Sequence, residues 1–148
     1  QADALAELKA LAVSRKRPGF IIGADQMLAV EGETLDKPKD MSEAHSHLMR
    51  LRGRTHELLT AAVVARDGAI IWRHIDTPKL RMRNFSDAFA DDYLARVGDA
   101  ALKSVGAYQL EGLGAQLFER VEGDYFSVLG LPLLPLMAFL REHGVVAR

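Results

Sequence analysis

Two strand-patterned runs, Thr55 to Arg66 and Ala69 to about Arg83, are separated by nothing but Asp67-Gly68. A connection this short leaves the chain a tight antiparallel hairpin, because Asp and Gly tolerate the positive φ that the favoured two-residue turns demand. The rest of the chain arranges itself around that hairpin. Residues 2–16 place Leu5, Leu8, Leu11 and Ala12 on one helical face and stop at Pro18-Gly19. Phe20 to Ala24 reads as a short buried strand with Asp25 at its end, and Met27 to Val30 resumes the extended pattern before a turn at Glu31-Gly32. Ser42 opens a helix that reaches about Arg52, Ser86 caps another to about Val97, and a last helix runs from Pro132 to His143. Residues 104–121 read as strand with a glycine interruption at Gly112 and Gly114, and Gly123-Asp124 as a turn. Helices interleaved with strands that include a hairpin predict an α/β fold, a mixed twisted sheet with helices on its faces.

Length and charge narrow the function classes. At 148 residues the chain fits one domain, which buries about two-thirds of the surface its unfolded form exposes. Lys and Arg number 19 against 20 Asp and Glu, so there is no overall basic field for nucleic acid, while a small anion needs only local cations. The absence of cysteine excludes a disulfide framework and thiolate chemistry, and it suits a cytoplasmic setting. No run approaches the ~20 apolar residues of a membrane span, so no membrane partner is expected. The sequence begins at Gln1, in the middle of a helical pattern, which leads us to expect a segment upstream.

Few residues stand out as carriers of chemistry. Asp25, flanked by Gly23 and Ala24, lies where open α/β sheets bind ligands, and there it would hold a metal or position a water; the plainer reading is a turn or cap acid. Lys37, before Pro38, offers a point charge to phosphate from a restrained loop, or is an ordinary solvated lysine. The segment Gly106-Ala107-Tyr108-Gln109-Leu110-Glu111-Gly112-Leu113-Gly114 allows close backbone approach to a ligand with Glu111 between the glycines, or is a bulged strand; it lacks Walker A spacing. His45 and His47 fall on different faces of one helix, and His56, His74 and His143 lie in separate elements, so no chelating pattern appears. Ser127 sits in no Gly-x-Ser-x-Gly elbow. Leu131 to Leu140 is an apolar stripe suited to a core or a subunit interface, which leaves a homodimer open.

Taken together, Gly23-Ala24-Asp25-Gln26, Lys37-Pro38, Leu51-Arg52-Gly53-Arg54-Thr55-His56-Glu57, Tyr108-Gln109-Leu110-Glu111-Gly112, Glu122-Gly123-Asp124-Tyr125 and Gly130-Leu131-Pro132-Leu133 resemble the Maf family in order and spacing. The resemblance implies an elongated, two-lobed fold similar to inosine triphosphate pyrophosphatases. It also implies hydrolysis of a nucleoside triphosphate between the α and β phosphates, with a divalent metal. Mg²⁺ or Mn²⁺ suits such oxygen-rich chemistry. By resemblance Asp25 is the metal ligand or water-activating carboxylate, Lys37 a phosphate contact, and Lys9 a second lysine of the site on the opening helix.

The sequence departs from the family's pattern in two ways. The Ser/Thr-x-Ser-x-Arg-Arg loop that grips the triphosphate, and the acidic residue after it, are not found in residues 1–148, so these residues alone are expected to catalyse poorly. Members preferring dTTP and UTP resemble Ala-Asp-Thr with a glutamine in the Tyr-x-x-Gln-Gly block, whereas this chain has Gln26 and Glu111, a pairing similar to the 7-methyl-GTP branch. A carboxylate accepts from guanine N1–H and the exocyclic amine, and it complements the positive ring that N7 methylation creates. The alternatives are a dTTP/UTP enzyme of the same family and a non-catalytic regulator of septum formation, the association from which the family takes its name.

Overall fold

The computed structural model describes residues 1–148. In chain order the elements are α1 (Ala2–Ser14), β1 (Ile21–Val30), β2 (Glu33–Leu35), α2 (Met41–Leu51), β3 (Thr55–Arg66), β4 (Ala69–Asp76), β5 (Lys79–Met82), α3 (Asp87–Val97), β6 (Phe118–Glu122), α4 (Tyr125–Leu129) and α5 (Leu133–Glu142). The strands are ordered β2, β1, β3, β5, β6, with β4 paired to β3 off that path. The pairs β1–β2, β3–β4, β3–β5 and β5–β6 are antiparallel. The α/β class read from the sequence holds. No helix is long and apolar enough to cross a membrane.

The chain packs as two compact units, one of Gln1–Gln26, Leu59–Thr77 and Gly123–Arg148, the other of Met27–Leu58 and Pro78–Glu122. In the first unit the hairpin forms as its turn chemistry requires. Asp67 and Gly68 both take positive φ, 51° and 78°, the signature of a type I′ turn, and Arg66 pairs with Ala69. Helix α1 packs along β4, tied by the Arg73–Glu7 ion pair and by Gly68 N donating to Ser14 Oγ at 3.0 Å. The stripe in α5 turns out to be core: Leu136, Phe139 and Leu140 are buried with Val64, and Phe20, Trp72 and Leu131 pack against them.

In the second unit α2 and α3 bury Ala44, Leu48, Leu51, Ala90, Tyr93 and Leu94. Asp40, not Ser42, caps α2, accepting from Glu43 N at 2.8 Å, while Ser86 caps α3 as expected, accepting from Phe89 N at 3.0 Å. Gly98, at φ 58°, ends α3.

Helix α1 forms where expected but buries another face, Ala2, Ala6 and Ala10, and leaves Leu5 and Leu8 exposed. Three further expected elements change shape. The run from Ala69 to Arg83 is cut at Thr77-Pro78 into β4 and β5, since proline has no N–H to give a ladder. Residues 104–121 form 3₁₀ turns over 105–107 and 113–117 with irregular chain between them, and only Phe118–Glu122 is strand. Gly106 and Ala107 there take φ of 78° and 63°, which no strand accommodates. Finally, β1 is continuous from Ile21 to Val30, so Asp25 lies inside a strand rather than at its end.

The packing of α1 on β1 depends on a missing side chain. A β-carbon at Gly23 would lie 2.4 Å from the Ala6 carbonyl oxygen and 2.8 Å from Ala10 Cβ. We expect Gly23→Ala to push the helix off the strand and destabilise the protein by about 1–3 kcal/mol, the usual cost of overpacking; thermal or urea unfolding measures it, and an unchanged midpoint would contradict the tight contact.

Candidate active site

Strand alternation places Asp25 on the same face of β1 as Gly23, two residues earlier, and so toward α1. One turn past Ala6, Lys9 reaches it: Nζ donates to Asp25 Oδ1 at 2.7 Å. The carboxylate is 15% exposed and the ammonium 59%, so the carboxylate is mostly covered while the ammonium stays open to solvent. A carboxylate and an ammonium in contact, 16 residues apart in sequence, are what a helix laid close on a glycine-bearing strand can bring together.

Gln26 points the other way, by the same alternation. Its Nε2 donates to Thr60 Oγ1 at 2.9 Å and lies 3.0 and 3.1 Å from the carbonyl oxygens of Ser127 and Val128. Thr60 Oγ1 itself donates to Ser127 O at 2.7 Å. The amide nitrogen of Gln26 therefore ties β1 to β3 and α4, and Oε1 is what remains of the side chain for a ligand. Lys37 and Glu111 belong to the second unit. Lys37 is exposed on the loop after β2, next to buried Pro38, and Glu111 is exposed on the turn between Tyr108 and Leu113.

Known proteins can be set beside this geometry. The family described as Maf-like protein matches residues 1–143. The chain belongs to the Maf family. A nucleoside triphosphate pyrophosphatase of Hyphomonas neptunium is 60% identical over 146 residues, covering 99% of this chain and 74% of that protein. One of Caulobacter vibrioides is 56% identical over 98% of this chain and 73% of its own length. A 7-methyl-GTP pyrophosphatase of Mesorhizobium japonicum is 52% identical over 96% of this chain and 72% of its own length.

Within this Maf chain two polar clusters escaped the sequence reading. In the first unit Ser127, fully buried, donates from Oγ to Asp76 Oδ2 at 2.5 Å, while Asp124 Oδ2 accepts from Ser127 N at 2.8 Å and lies 3.1 Å from its Oγ. His74 Nε2 is bonded to Asp76 Oδ1 at 2.8 Å. Burial pushes the Asp76 carboxyl up, but the bonds from Ser127 and His74 outweigh it and hold it below the ordinary range. Only Asp124 had a local signal, as a cap one residue before α4.

In the second unit His56, 1% exposed on β3, meets Tyr108, with Nε2 2.8 Å from the phenol oxygen. The two residues are far apart in sequence, and nothing local pairs them. Burial pushes the Tyr108 phenol well up and the His56 imidazole down, from 6.5 to about 4. Between those two values the unfolded chain binds a proton that the folded chain refuses, so stability is full above pH 6.5 and lost as the pH falls toward 4. This one group then removes up to about 3 kcal/mol. Urea unfolding at a series of pH values is expected to show the loss, and a His56→Phe variant is expected to show a flatter profile across the same window.

Proposed function

We propose that the chain is a nucleoside triphosphate pyrophosphatase, cleaving the α–β phosphoanhydride to release pyrophosphate and a nucleoside monophosphate, and that 7-methyl-GTP is its preferred substrate. The observation that carries the reading is the Lys9–Asp25 contact at 2.7 Å on a partly open strand face. Relatives at 60% and 56% identity are named for the general activity, and one at 52% for the methylated nucleotide.

The chemistry follows from charge. Lys9 engages Oδ1 of Asp25, which leaves Oδ2 for a water or a cation. A single hard carboxylate beside a polyphosphate is a donor set that Mg²⁺ or Mn²⁺ accepts, because these ions keep several waters and take further oxygens from the substrate. When bound, such an ion would neutralise phosphate charge. In the step itself the water oxygen attacks the α-phosphorus and its proton passes to Asp25. The bond from that phosphorus to the bridging oxygen breaks, and pyrophosphate leaves with the electron pair. The Lys9 ammonium offsets negative charge as it grows on the transferring group. Lys37 is assigned to the phosphates by its Lys-Pro motif, and its exposed loop leaves the ammonium accessible.

Glu111 is assigned to the base. A carboxylate there accepts from N1–H and the exocyclic amine of guanine and sits well with the positive methylated ring, whereas glutamine would bring one donor group and no charge.

Two variants of the complete polypeptide test the two halves of the reading. Asp25→Asn is expected to lower pyrophosphate release about 10²–10⁴-fold with the fold intact by circular dichroism; activity near that of the unaltered protein would remove Asp25 from the chemistry. Glu111→Gln is expected to reduce the preference for 7-methyl-GTP over UTP roughly tenfold or more, as loss of a charge-assisted hydrogen bond does. A nucleotide panel reads it, and an unaltered ratio would reject the base assignment.

A further inference from the structure

The turn that carries Glu111 stands on a buried stem. Tyr108, 4% exposed, is its central post. Phe118 packs edge-on against its ring at 4.7 Å between centroids, and a β-carbon at Gly106 would lie 2.5 Å from its Cε2. One at Gly114 would lie 3.0 Å from its Cβ and 2.4 Å from the Gln109 carbonyl oxygen. Both glycines are therefore needed for the chain to close around the phenol. Neighbouring residues are tied as well: Tyr93 donates from its hydroxyl to Ala107 O at 2.9 Å, and Gln109 Nε2 donates to Ala100 O and Ser104 Oγ, both at 2.8 Å. Gly112 N returns to Gln109 O at 3.1 Å, closing the turn with Glu111 at its exposed tip.

Only one polar contact reaches the far end of the Tyr108 side chain, the bond to His56 Nε2 at 2.8 Å. His56 Nδ1 is buried with no partner, so the imidazole has no second bond to hold its orientation. A buried polar pair with one bond has one optimum, and departing from it leaves two buried groups unsatisfied. The cluster of His56, Tyr108 and Phe118 rings, tilted and edge-on to one another, supplies volume, and the hydrogen bond supplies direction.

We propose that His56 and Tyr108 are positioning residues for substrate discrimination: their buried hydrogen bond fixes the stem of the turn that presents Glu111, and so sets base preference rather than the phosphoryl chemistry. The inference rests on the assignment of Glu111 to the base. Neither residue touches the nucleotide.

The experiment compares kcat and KM for 7-methyl-GTP and UTP in the complete polypeptide and in four variants: Glu111→Gln, Tyr108→Phe, His56→Phe and the His56→Phe/Tyr108→Phe double. The double variant leaves no orphaned polar group and keeps both rings, so it should fold even if a single variant does not. Tyr108→Phe and the double variant are each expected to lower the 7-methyl-GTP to UTP ratio of kcat/KM by roughly fivefold to tenfold, the size of one net hydrogen bond, with the loss in KM for 7-methyl-GTP. A merely structural role would instead lower kcat/KM for both nucleotides alike. If Glu111→Gln loses the preference while the folded double variant keeps it, the positioning inference is overturned and the base assignment stands. If Glu111→Gln keeps the preference while Tyr108→Phe loses it, the base assignment falls and takes with it the inference that the stem acts by presenting Glu111. If none of the variants shifts the ratio, both are wrong.

Discussion

Gly23 faces α1 with a hydrogen where any other residue would set a carbon, and the helix comes down until the Ala6 carbonyl is 2.4 Å from that would-be carbon. Ala2, Ala6 and Ala10 line the same buried side of the helix, and their methyl groups are as small as a chiral residue allows. The closeness of this contact bears on where Lys9 ends, because the residue one before Ala10 rides on a helix held this near the strand. Interaxial spacing, set by three alanines and a glycine, thereby sets the distance between the ammonium and Asp25. The ion pair is downstream of a packing fact.

Adjacent polar residues inside a buried strand ordinarily signal its end, since an unsatisfied polar group costs more than the strand gains. Asp25 and Gln26 escape that rule by serving opposite faces of β1. One is matched by Lys9, the other by Thr60 and the carbonyls of α4. Each face is satisfied separately, so the strand runs on to Val30. A carboxylate held within a strand has less freedom than one at a strand tip, which suits the proton-accepting role proposed for Asp25.

Much of the architecture was legible. Turn chemistry at Asp67-Gly68, the Ser86 cap, and the end signals of α1, α2 and α5 gave the right elements, because each is decided by residues within a few positions of one another. The face that α1 buries was not legible, since Leu5 and Leu8 are exposed and the small Ala2, Ala6 and Ala10 make the contact. Nor was the stretch from 104 to 121, because its alternation of apolar residues is compatible with a strand, and the left-handed backbone at Ala107 has no sequence signature. Its form is imposed from a distance, by Tyr93 holding the Ala107 carbonyl and by Phe118 filling the space beside Tyr108. The site divides the same way. Asp25 and Lys37 could be picked out locally, and Lys9, Gln26 and the role proposed for Glu111 needed the family pattern. The bonds that hold Gln26 and Tyr108 needed the fold, since their partners lie 34 to 102 and 52 residues away.

From Ala61 to Ala65 the strand β3 is buried on both sides, a run of small and branched apolar groups with no wet face. Most strands resist slipping by one residue because the slip would carry apolar side chains into water. Here it would exchange one dry surface for another, and solvation would barely object. Alignment with β4 must therefore be written elsewhere, in the two positive φ angles of Asp67 and Gly68 and in the break between Val64 and Ala65 where the ladder shifts. The loop at the end of the hairpin thus keeps the count for a stretch whose own side chains cannot.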